Sequence, residues 1–73
     1  MELTKEFVLA VEEAVDALNS RARSLESADI ARDDTTAGKV VRVGAEADRQ
    51  RADMLAGWAK RAREVVGLEP LET

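Results

Sequence analysis

Two groups of charged residues are the parts of this 73-residue chain whose types and spacing suggest chemistry. Glu12, Glu13 and Asp16 fall within one helical turn, a placement that can begin a carboxylate metal site. Arg49, Arg51, Lys60, Arg61 and Arg63 supply five cations over fifteen residues, the kind of group that contacts phosphates and that a dimer would double. The sequence has no histidine and no cysteine, so imidazole and thiolate metal ligands, disulfides and the Ser/His/Asp and Cys/His nucleophiles are all excluded. Gly38 and Gly44 do not have the spacing of a phosphate-binding loop.

Each group is weakened by its surroundings. Carboxylate-bridged di-iron bundles draw on Glu-x-x-His pairs. The all-helical nucleotide pyrophosphohydrolases hold magnesium with paired Glu-x-x-Glu/Asp motifs, and here Glu46 and Asp48 have the wrong spacing for a second pair. The acidic group therefore reads as a solvated helix face, with no cofactor, no metal and no enzymatic activity expected. The basic group is interrupted by Asp48, Asp53 and Glu64, lacks helix-turn-helix spacing and sits in a chain of net charge −4. Nucleic-acid binding through these arginines is kept as the alternative reading.

The elements that would carry these residues follow from hydrophobic period. Val41, Ala45, Asp48, Ala52, Leu55, Ala59, Ala62 and Val66 recur at alternating steps of four and three, a helix seam of coiled-coil type. Phe7, Val11, Ala14, Leu18, Arg21, Leu25 and Ala28 repeat the pattern in the first half. The reading is all-α: an antiparallel two-helix hairpin, one domain over 1–73, with helices over about 3–32 and 38–67, a turn at 33–37 and a loose tail at 68–73. Thr4 suits an N-cap with Glu2 and Glu6 near the positive end of the dipole, and the Asp33-Asp34-Thr35-Thr36 cluster suits reversal and recapping. The interval Asn19 to Ser27 is the weaker part of helix 1, where a kink or fray is expected. Lys39–Val43, a β-branched run between glycines, is read as helix with a short strand as its rival. Gly67 is placed as the left-handed helix terminator and Pro70 as the block to resumption.

Folding the hairpin near Asp34 sets Val11 against Ala59, Leu18 against Ala52 and Leu25 against Ala45, large against small. The polar member of each seam, Arg21 and Asp48, lands in one layer and is read as a register pair, in a layer that is either dry or partly solvated. On one flank, Leu3, Ala10, Ala17, Ser24 and Ala31 lie beside Val65, Trp58, Arg51 and Gly44, and Leu3, Ala10, Ala17, Trp58 and Val65 are the candidate interface. On the other flank Val8, Val15 and Ala22 face Arg63, Ala56 and Arg49, and Asp29 is paired with Arg42.

A chain of this size buries only about 60% of its unfolded surface and usually needs a staple or a partner. With disulfides and such metals excluded, a homodimeric four-helix bundle or another helical protein is expected to cover that flank. The first 34 residues carry net −5 and Lys39–Glu64 net +3, so the two helices attract each other. Apolar runs are too short for a membrane span or signal peptide, which points to the cytoplasm. Eight arginines against three lysines, with abundant alanine, suggest a bacterial or phage origin. The function read from all this is a non-enzymatic protein–protein interaction module, an adaptor, inhibitor or assembly component. Its partners are itself and another protein, without a membrane.

Overall fold

A computed structural model describes residues 2–69, and the expectation for a loose tail beyond that falls outside the described residues. Two helices pack against each other with no strand among the described residues: α1 over Lys5–Ser27 and α2 over Thr36–Val66, joined through a short 3-10 turn over Asp29–Arg32. Lys39–Val43 lies inside α2. The molecule is a single layer of helices, 47 × 27 × 15 Å.

The helix ends are local in origin. The hydroxyl of Thr4 accepts from the Phe7 N–H at 3.1 Å, and that of Thr35 accepts from the Gly38 N–H at 3.0 Å, each satisfying a backbone donor of the first turn. Gly67 ends α2 at φ 78°, and the Leu68 N–H closes on the Arg63 carbonyl at 2.9 Å. α1 stops at Ser27, five residues before the expected Arg32. Ala28 turns extended at ψ 139°, and the chain completes the reversal in the 3-10 turn with Ala31 buried beneath it. Arg42, expected on Asp29, instead donates from Nη1 to the carbonyls of Ala31 at 2.6 Å and Asp33 at 3.0 Å. A guanidinium from α2 thus satisfies acceptors that the short turn leaves without helical partners.

The α2 seam is made of small residues: Ala45, Ala52, Ala59 and Ala62 are buried together with Asp48, with Val41, Leu55 and Val66 half-buried between them. Three of these alanines stand seven apart, so α1 can approach the α2 backbone along its length. The face of α1 that does so differs from the expected one in three of its seven positions. Val11, Leu18 and Leu25 lie in the seam, but Phe7, Ala14 and Arg21 are exposed and their places are taken by Val8, Val15 and Ala22. Val8 and Ala22 are the most completely buried residues of α1. The physical reason is charge: rotating α1 by one position fills the seam with aliphatic groups and leaves the Arg21 side chain mostly exposed at the rim, where its desolvation cost is small.

Candidate interaction surface

The rotation of α1 gives the hairpin two unlike faces. On the first, charges are paired within the chain. Glu12 and Arg63 form a two-pronged ion pair, with Arg63 Nη2 donating to Glu12 Oε1 at 2.7 Å and Arg63 Nε donating to Oε2. Both side chains are largely buried, and the hydrogen bonds from Arg63, more than its charge, hold the Glu12 carboxyl below its ordinary range and raise the Arg63 pKa. Arg63 also donates to the Glu69 carbonyl. Near the turn, Arg49 donates through Nε to Glu26 Oε1 at 3.0 Å, a more exposed pair with both partners about half open to water. A groove of roughly 540 Å³ runs beside it between Glu26, Ala31, Arg42, Glu46, Arg49 and Gln50.

On the second face the structure brings Arg21 and Asp48 together. Arg21 Nε donates to Asp48 Oδ2 at 2.7 Å and Nη2 to Oδ1 at 2.6 Å, a bidentate fork across the hairpin. Of the dry and the partly solvated layer that the seam allows, this is the partly solvated one. Asp48 is 3% exposed, but the Arg21 side chain is 60% exposed and reaches the carboxylate from the rim. Arg51 adds a second guanidinium, 3.9 Å from Asp48 Oδ1. The hydrogen bonds from Arg21, then the charges of Arg21 and Arg51, hold the Asp48 carboxyl below its ordinary range against the opposing effect of burial. Farther along the hairpin, about four turns from Arg21 on α1 and about three from Asp48 on α2, the Phe7 and Trp58 rings meet edge to face, with centroids 5.8 Å apart.

The same face carries a stripe of mostly apolar residues broken by arginines. Phe7, Ala10, Ala14, Ala17, Arg21 and Ser24 run along α1 at steps of three and four, all exposed. Gly44, Ala47, Arg51, Met54, Trp58, Arg61 and Val65 run likewise along α2. Trp58 is half-buried, Val65 is open to solvent, and Leu3 stands exposed just ahead of α1. The seam pattern places Phe7 in the core, and the signal in the sequence that points it outward is the rival stripe Val8, Val15 and Ala22, which has the same spacing and no charge.

The basic residues are not gathered into one surface. Arg63 and Arg49 face the first side, each on a glutamate, Arg51 faces the second side beside Asp48, and Lys60 and Arg61 stand exposed on different faces of α2. No helix among the described residues is long and apolar enough to cross a membrane. Comparison with models of protein families, with curated proteins and with solved structures finds no match to this chain.

The two carboxylates with depressed pKa set an acid limit. Asp48 and Glu12 are ionised in the folded hairpin at a pH where the unfolded chain already takes up protons, so their pairing stabilises the fold above about pH 4.5. That stability is lost as pH falls through their folded values. The melting temperature is expected to stay level from neutral pH to about 5 and to drop below about 4. In Arg63→Met the Glu12 contribution disappears and the drop becomes shallower, which circular dichroism melts at several pH values will show. An unchanged profile would mean that the ion pair does not form.

Proposed function

We propose that this chain is a non-enzymatic protein–protein interaction module that works by presenting helical surfaces. It self-associates into a four-helix bundle of coiled-coil type and binds a further protein as an adaptor, inhibitor or assembly component, in the cytoplasm of a bacterium or in a phage-infected one. The observation that supports this reading is the unlike treatment of the two faces. Charges on one are neutralised inside the chain, whereas the other leaves Leu3, Phe7, Met54 and Val65 exposed around Trp58. A single layer 15 Å thick has no second layer of its own to cover them. Apolar patches of this kind mark association sites, and tryptophan is a frequent anchor in them. The nucleic-acid alternative has less support, because Arg49 and Arg63 lie on one side, each on a glutamate, and Arg51 lies on the other, so the cations do not form one surface.

Light scattering on a sizing column at micromolar concentration tests the proposal, with the mass of a dimer expected. Trp58→Ala is expected to weaken the dimer by roughly tenfold or more, the effect of removing an interface anchor, while the helical signal of the hairpin is retained. A monomer with a sharp thermal transition at every concentration would refute self-association.

A further inference from the structure

The exposed stripe has an internal order that goes beyond being apolar. The chain exposes 5599 Å², whereas a compact monomer of its 8.0 kDa mass exposes about 4,450 Å². The excess, on the order of 1,000 Å², is spread over an elongated single layer of 47 × 27 × 15 Å and is large enough to supply the roughly 800 Å² that each partner hides in an interface of standard size. What must cover it is constrained by charge. Near one end of the stripe, two guanidiniums share the single Asp48 carboxylate, which leaves one positive charge over. Near the other end the Phe7 and Trp58 rings form a mixed edge and face surface, with the exposed Arg61 one turn farther along α2.

A two-fold interface requires a patch to complement its own rotated copy. Counting seven residues from the Arg21–Asp48 pair along each helix gives Ala14 on α1 and Leu55 on α2, which therefore lie at one level of the hairpin. About that level the stripe on α1 reads the same way outward in both directions except at its ends. Ala14 is at the centre, Ala10 and Ala17 flank it, and Phe7 and Arg21 stand two turns away on either side, about 10.5 Å each. On α2, Trp58 and Arg51 flank the same level, and farther out Val65 is balanced by Gly44. Rotation about a two-fold axis through Ala14 and Leu55 therefore exchanges aromatic with cation on both helices at once, and large with small beyond them.

We infer that the second face is covered by a second copy of this chain, placed so that α1 lies antiparallel on α1 of the other copy and α2 on α2. The Phe7–Trp58 pair of each copy then meets the Arg21–Arg51 pair of the other. This rests on the self-association proposed above and specifies its geometry. The Arg21 and Arg51 guanidiniums of each copy sit against ring faces, a cation–π contact. The alanines at the centre let the two α1 backbones approach closely. Stacking α1 on α2 of the other copy, the other two-fold arrangement, gives neither exchange.

Cysteine cross-linking tests the arrangement directly, because the chain has no cysteine of its own. Ala14→Cys puts a thiol beside its own copy on the axis, within the reach of a disulfide. Asp16→Cys puts one on the outward side of the same helix. Under mild oxidation Ala14→Cys is expected to become mostly covalent dimer on a non-reducing gel and Asp16→Cys to remain mostly single chains. An equal mixture of Ala14→Cys and Met54→Cys chains is expected to cross-link like with like. A dimer by light scattering in which Ala14→Cys fails to cross-link, or in which the mixture gives mainly Ala14–Met54 cross-links, overturns this geometry and leaves self-association standing. A monomer by light scattering overturns both.

Discussion

Replacing Gly38 with alanine is expected to destabilise the hairpin by about 3 kcal/mol, at the upper end of what forcing a methyl group into packed structure costs. Gly38 lies in the first turn of α2, where its N–H is held by the Thr35 hydroxyl and the returning chain passes directly over its α-carbon. A β-carbon there would stand 2.2 Å from the Asp33 carbonyl oxygen and 2.7 Å from that of Ile30. Both atoms are backbone, so no side chain can swing aside, and the 3-10 turn has to move off the helix. That movement also draws the Asp33 carbonyl away from Arg42. Gly57 provides the control. It lies in the interior of the same helix, and an added β-carbon meets only the end of the Arg61 side chain at 3.9 Å. Gly57→Ala is therefore expected to stabilise by roughly 0.5–1 kcal/mol, the gain in helix propensity. Urea unfolding of the two variants measures the contrast. Equal effects would mean that the chain does not cross α2 at Gly38.

Ala52→Leu is expected to cost about 2–3 kcal/mol, because added methylenes in a packed core force neighbours off their rotamers or push the backbones apart. Ala52 is wholly buried, and Ala45 and Ala59, one heptad to either side, are nearly so. This row sets how close α1 can come. A leucine in its middle would push the helices apart where Arg21 and Asp48 meet, so the loss should be accompanied by a weaker acid dependence of stability. Ala47→Leu, on the half-buried edge of the same helix, is the comparison and should shift the urea midpoint far less. If Ala52→Leu unfolds at the wild-type midpoint, α1 does not pack on this row.

The seam of α2 was legible in the sequence because only one stripe of that helix is free of large polar groups, and its single exception, Asp48, has an arginine within reach. The caps were legible for the same kind of reason: Thr4, Thr35 and Gly67 act on backbone groups a few residues away, so local chemistry is sufficient to place them. Helix 1 was different. Phe7, Ala14 and Arg21 and the adjacent Val8, Val15 and Ala22 have the same spacing and share Val11, Leu18 and Leu25, so period alone cannot choose between them. What chooses is the cost of removing a guanidinium from water and the narrowness of the gap over an alanine-lined helix, and both exist only when the second helix is in place. The end of α1 at Ala28 was hidden likewise, since no glycine or proline marks it and its acceptors are satisfied by Arg42 from α2. The sequence by itself thus determined two helices, their direction and their caps. Tertiary structure decided the rotation of α1, and with it which aromatic, alanine and arginine residues stand on the surface.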